Sequence, residues 1–76
     1  MRIIARIDAR YIAETGALLN THKVKFSCAA IENSYDLLFI IDNVKYPFMS
    51  GEYLSFGVDA VTLIEMRHVK YISVFN

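Results

Sequence analysis

The chain has 76 residues, of which 55% are hydrophobic and 13% aromatic. Eight basic and eight acidic side chains cancel to a formal net charge of zero, which excludes the strongly basic field that attracts nucleic acid through its phosphates. A single cysteine, Cys28, excludes an intramolecular disulfide framework and favours an intracellular setting.

Size and composition together predict association with other molecules. A domain this small buries only about 60% of the surface that its unfolded chain exposes, so residues 1–76 are expected to form a single compact domain with apolar surface left over. A net charge near zero also favours association over mutual repulsion. The longest apolar run, residues 37–41, is far shorter than the roughly 20 residues of a membrane-spanning helix. We therefore expect a cytoplasmic protein that does not contact membranes and that forms homo-oligomers.

The first 20 residues fit two kinds of secondary structure. Along the first half, the charged side chains fall at even positions, a period of two that suits a strand. Alanines at 5, 9, 13 and 17, however, recur at the spacing of one helix face. Because alanine favours helices and is depleted in strands, we predict a strand over 1–7 and a helix from Ala9 to about Asn20. Asp8 is predicted to cap this helix, and Gly16 to weaken it.

From Lys23 onward the pattern is that of strands. Alternation over 24–30 is followed by turn residues at 32–34. The next two apolar segments, 35–41 and 44–48, flank Asp42 and Asn43, which suit a tight hairpin turn. This hairpin would place Leu37 opposite Phe48, and Phe39 opposite Tyr46.

After Pro47, which suits a strand end or edge, the sequence predicts a bend at 49–51 and a short strand within 53–58. A second hairpin is predicted from 61–66 and 69–74 around Arg67 and His68, with Glu65 opposite Lys70 and Leu63 opposite Ile72. The predicted fold class is strand-dominated α+β, either a small antiparallel sheet or a partly open barrel with one N-terminal helix. Both faces of these hairpins are apolar, so we expect the helix, barrel closure or another subunit to cover the second face.

The residue types that carry chemistry do not form a recognisable site. His22, His68 and Cys28 match no compact metal-ligand spacing, and we expect two exposed turn histidines and a small buried thiol. Glu32 and Asp36 flank one turn and are expected to be solvated. We therefore predict no catalytic residue, no metal and no cofactor, and no enzyme activity.

Arginines and aromatic residues are the candidate binding groups. Three arginines recur every fourth residue and form a basic stripe, which is either a solvated face or a contact ridge for an acidic partner. Aromatic side chains beside bends or at the terminus are candidate anchors, because tyrosine and phenylalanine are enriched at interface centres. The predicted partner-binding residues are Arg2, Arg6, Arg10, Tyr53, Phe56 and Phe75.

A short helix followed by small strands, with segments 31–43 and 68–74 in place, resembles an Sm-type barrel. That resemblance implies ring assembly and contact with RNA.

These patterns predict a non-enzymatic protein-binding module. The expected protein is a self-associating small inhibitor or modulator, of the kind that phages and other mobile elements encode (a viral protein), which masks a surface of a host macromolecular complex. The alternative is an oligomeric nucleic-acid or nucleotide binder of the Sm-like small-barrel type.

Overall fold

The computed structural model describes residues 2–40, 48–55 and 63–75. Seven strands, one α-helix and two 3-10 turns follow one another along these residues in this order: β1 (Arg2–Asp8), a 3-10 turn (Ala9–Tyr11), α1 (Ile12–Thr21), β2 (Phe26–Ile31), β3 (Ser34–Ile40), β4 (Phe48–Ser50), β5 (Tyr53–Ser55), β6 (Leu63–Glu65), a second 3-10 turn (Met66–His68) and β7 (Val69–Phe75). The predicted strand-dominated α+β class is confirmed.

The larger sheet has four strands in the order β2-β3-β1-β7, and every neighbouring pair is antiparallel. The chain leaves β1, passes through α1 and returns as β2 with β3 between them, which is a split β-α-β arrangement. Among the described strands this sheet is open, with β2 and β7 at its edges, so the simple antiparallel sheet is found and not the barrel. A smaller antiparallel sheet contains β4, β5 and β6.

The predicted order of strand, cap and helix in the first 20 residues is confirmed. Asp8 Oδ1 accepts a hydrogen bond from the Arg10 backbone N–H at 3.0 Å, and it caps the 3-10 turn that leads into α1. At the other end Lys23 has a φ of 58°, and the Val24 N–H donates to the Leu19 carbonyl at 3.0 Å. A residue of positive φ with this bond ends a helix by satisfying its last carbonyls.

The pairing predicted for the first hairpin is wrong. Leu37 lies opposite Ala5 on one side and Cys28 on the other, and both edges of β3 are paired along its length. Leu37 therefore cannot also face Phe48, which lies opposite Ser55, and Phe39 is equally occupied on both sides. The predicted turn at 42–43 lies outside the described residues. Periodicity shows which side chains share a face, but it does not show which strand lies alongside.

The second predicted hairpin is also wrong, because its two strands belong to different sheets. Glu65 lies opposite Tyr53 in the smaller sheet, and Ile72 lies opposite Ala5 in the larger one. Residues 66–68 form a 3-10 turn between the two sheets instead of a hairpin turn. The free edge of β1 gives β7 a longer ladder than the three-residue strand β6 offers.

The bend predicted at 49–51 is a strand end followed by a turn at Gly51, whose φ is 57°.

One face of the larger sheet forms the core. Alternate residues of β1 are fully buried, and they join buried side chains from the helix and from the smaller sheet in one cluster: Ile3, Ala5, Ile7, Leu19, Leu37, Phe39, Leu54 and Ile64. The helix and the smaller sheet thus cover the same face of the larger sheet. The opposite face carries the other half of each alternating strand.

Substitution on the two faces of β3 will show this asymmetry. Leu37→Ala is expected to lower the free energy of unfolding by about 2–5 kcal/mol, because Leu37 is fully buried and its truncation leaves a cavity. Ile40→Ala, at a position 63% exposed, is expected to cost about 1 kcal/mol or less. Urea unfolding monitored by circular dichroism measures both. Equal losses would contradict the assignment of faces.

Candidate functional site

The candidate site is the face of the larger sheet opposite the core, called the open face here. Its side chains stand in four rows across the strands. The rows are Ile40–Arg2–Phe75, Leu38–Ile4–Ser73, Asp36–Arg6–Tyr71 and Ser34–Asp8. Ser27, Ala29 and Ile31 of β2 extend the face beyond β3.

Large apolar groups are unusually exposed on the open face. Ile40 is 63% exposed, Tyr71 55%, Phe75 49% and Ile31 39%. Ile4 and Leu38, nearer the middle, are half-buried. Ile40, Leu38 and Ile4 are neighbours on this face, because Leu38 is two residues from Ile40 and lies opposite Ile4. A contiguous apolar patch on a small monomer marks an interaction surface more often than scattered single residues do.

Arg6 is held at the middle of the open face. Its Nε donates to Asp36 Oδ1 at 2.8 Å and its Nη2 donates to Asp36 Oδ2 at 3.2 Å, and its guanidinium lies 5.8 Å from the centre of the Tyr71 ring. The hydrogen bond to Asp36, followed by the charge of that carboxylate, raises the pKa of Arg6 above its ordinary value. Such a two-bond pair fixes the direction of both side chains.

Arg2 differs from Arg6 because no ion pair involving it occurs among the residues that the structure describes. It is exposed and stands between Ile40 and Phe75, two of the exposed apolar groups of the open face. An exposed guanidinium between two apolar side chains is a ready partner for a carboxylate, because its donors match the geometry of that group.

Arg10 lies beyond the end of β1 and interacts with its own neighbours. Its Nε is 3.2 Å from Asp8 Oδ1, and its guanidinium lies 5.3 Å from the Tyr11 ring centre. Lys70 Nζ is also 3.8 Å from Asp8 Oδ2. The Arg10 backbone hydrogen bond, then its side-chain hydrogen bond, lowers the pKa of Asp8 below its ordinary value.

The predicted binding residues are thus only partly brought together. Arg2, Arg6 and Phe75 share the open face, whereas Arg10 lies past the end of β1, in the 3-10 turn. Tyr53 is exposed on the smaller sheet, and Phe56 lies outside the described residues. Sequence reasoning missed Ile4, Leu38, Ile40 and Tyr71, although the period of two over 2–8 already placed Ile4 beside Arg2 and Arg6.

The predicted environments of the cysteine and of both histidines are wrong. Cys28 is exposed on β2, which is an edge strand of the larger sheet. His68, predicted to be an exposed turn residue, is 3% exposed, since its ring stacks on Tyr11 with centroids 3.7 Å apart. His22 is half-buried, and its Nδ1 lies 3.0 Å from the Leu18 carbonyl oxygen.

The described residues contain no group of three or more histidine, cysteine or carboxylate side chains that could hold a metal ion. Glu32 is exposed in the β2–β3 turn, while Asp36 is bonded to Arg6. Within the described ranges, no helix combines the length and apolar character needed to cross a bilayer. Comparison of the chain with protein-family models, with curated proteins and with solved structures finds no match.

The lowered pKa of Asp8 predicts a dependence of stability on acid. A carboxylate with a depressed pKa in the folded state stabilises the fold above its unfolded pKa, near 3.9, and this stabilisation is lost as the pH falls through the folded value. The free energy of unfolding should therefore fall more between pH 6 and pH 3 in the unsubstituted chain than in Asp8→Asn, which keeps a capping side chain. Urea titrations at both pH values measure the difference, and identical slopes against pH would contradict the role of Asp8.

The burial of one ring nitrogen of His68 leads to a prediction of how the free energy of unfolding changes when the ring is replaced. Among the residues that the structure describes, His68 Nε2 is buried with no hydrogen-bond partner, and Glu65 Oε2 lies 3.4 Å from it. An unpaired buried polar atom costs about 1–3 kcal/mol, so His68→Phe, which can keep the stack on Tyr11, should raise the free energy of unfolding at pH 8. A loss of stability in that variant, with its fold intact by circular dichroism, would contradict this assignment.

Proposed function

We propose that this chain is a non-enzymatic protein-binding module whose open face docks on a partner protein. The observation that carries the proposal is the collection of Ile31, Ile40, Tyr71 and Phe75 on one sheet face, each more than a third exposed. Leaving such groups in water forgoes about 25 cal/mol for each Å² of apolar surface that a partner would bury. A small inhibitor or modulator of this design acts by masking the surface on which it docks.

The chemistry of the open face defines the partner. Arg2 between Ile40 and Phe75 favours a carboxylate flanked by large apolar side chains, because arginine and aromatic residues dominate the binding energy of interface centres. Arg6 is already neutralised by Asp36 at 2.8 Å, so the middle of the face accepts apolar groups. The partner is therefore a protein surface with an apolar centre and an acidic residue at one side.

The nucleic-acid alternative has less support from the same residues. Sheets that bind single-stranded RNA stack bases on exposed aromatic rings. The exposed rings of the open face, Tyr71 and Phe75, lie on the edge strand β7, whereas the two central strands present Ile4, Leu38 and Ile40. Of the three arginines of the basic stripe, Arg6 and Arg10 are both paired with carboxylates, which leaves Arg2 among them to meet a phosphate. The face therefore favours a protein over a nucleic acid.

Selection from a random peptide library tests the proposal, because the open face then selects its ligand from many side-chain chemistries. Immobilised protein should enrich peptides in which Asp or Glu lies next to large apolar residues. Affinity for a selected peptide, measured by fluorescence anisotropy, should fall at least tenfold in Arg2→Glu and in Ile40→Asp, because the first reverses the contact charge and the second buries a new one.

The matched control adds an acidic group on the other side of the molecule. Ala13 is exposed on α1, and Ala13→Glu should leave the affinity unchanged. Enrichment of basic peptides, equal affinity in all variants, or stronger binding of single-stranded oligonucleotides than of any peptide would each overturn the proposal.

A further inference from the structure

The two edges of the larger sheet differ in how well they are protected against pairing with a strand of another chain. On β7 the pairing with β1 shifts register between Arg6 and Ile7, and Lys70 stands at this irregularity. Bulges and lysines are the devices with which proteins prevent an edge strand from pairing with another chain. The β2 edge has neither. Its register with β3 runs without a shift from Phe26 to Ile31, and residues 26–31 read FSCAAI, with no charge and no proline.

The β2 strand is also exposed along its length. All of its residues but Phe26 are exposed, and among the described strands only β3 pairs with it. In an antiparallel ladder the backbone groups of alternate residues point away from the existing partner, so β2 presents at this edge N–H and C=O groups that no described strand pairs. Four of its six residues, 27–30, have small side chains that leave those groups accessible.

We propose that β2 pairs in antiparallel orientation with β2 of a second copy of this chain, with Cys28 facing Cys28 across the two-fold axis. A two-fold axis perpendicular to the sheet requires facing residues to lie on the same face, so residue i must face a residue of the same parity. Centring the strand on Cys28 then places Phe26 opposite Ala30, and Ser27 opposite Ala29, of the second copy. At both ends of the paired strands the large side chain of Phe26 faces the small side chain of Ala30, which lets the two backbones approach each other.

Charge also favours a second copy as the occupant. Lys25 precedes β2 and Glu32 follows it. In this register Lys25 lies opposite Ile31 of the second copy, one residue from its Glu32, so antiparallel pairing brings the basic end of one strand near the acidic end of the other. The whole chain is formally neutral, so two copies do not repel each other at long range. The resulting eight-stranded sheet carries both open faces on the same side, which doubles the surface available to the partner.

Charge substitution at the axis tests the pairing. Analytical ultracentrifugation of the full chain should give a dimer, with a dissociation constant raised at least tenfold in Cys28→Lys and in Cys28→Glu, because each places like charges directly opposite each other. Mixing the two variants should restore a mixed dimer, which a misfolded variant cannot do. Ala17→Lys, on the exposed side of α1, is the control and should dimerise normally.

Cross-linking fixes the register. In a Cys28→Ser background, single cysteines at 27, 29 and 30 should cross-link less readily with a short bismaleimide than native Cys28 does. A monomer at all concentrations, a dimer insensitive to both charge variants, or the strongest cross-link at another position would overturn the proposal. Failure of the β2 dimer can be distinguished from failure of the proposed function. Arg2→Glu should weaken binding of the partner peptide but should leave dimerisation intact.

Discussion

The central position of β1 is the constraint on which the rest of the structure depends. Its alternate side chains, Ile3, Ala5 and Ile7, are fully buried, and strands pair along both of its edges. A sheet has two faces, and the described chain supplies covering elements to one of them, α1 and the smaller sheet. Because both pack on the same cluster, the other face retains apolar groups in contact with solvent.

The polar groups of the open face orient it and contribute little to its stability. A partly exposed ion pair such as Arg6–Asp36 adds little to the free energy of unfolding, but its two hydrogen bonds hold Arg6 against Asp36 and near Tyr71. The face is thereby preorganised, which reduces the entropy lost when a partner binds. Arg2 lacks such a pair among the described residues and keeps its donors for the partner.

Local rules predicted the first third of the chain, while pairing over long distances escaped them. The change from a period of two to helical alanine spacing at Asp8 is a local signal, and the structure follows it. The partners of β3 are not local, because either side of an apolar strand satisfies the same alternation. Spacing alone also failed to predict the membership of the open face. The three arginines recur at equal spacing in the sequence, but Arg10 follows the end of the strand, so β1 places only Arg2 and Arg6 beside Ile4. Cys28 and His68 illustrate that burial depends on what packs against a residue, which composition does not reveal.

Methyl relaxation of the isoleucines by a soluble gadolinium chelate tests the two-faced sheet most directly. In dilute solution, we expect strong relaxation of the Ile40 and Ile31 methyl groups and little effect on those of Ile3 and Ile7, because the second pair is fully buried. Equal protection of all four residues in a monomeric sample would contradict the account, since the open face would then already be covered and would have no surface to offer a partner.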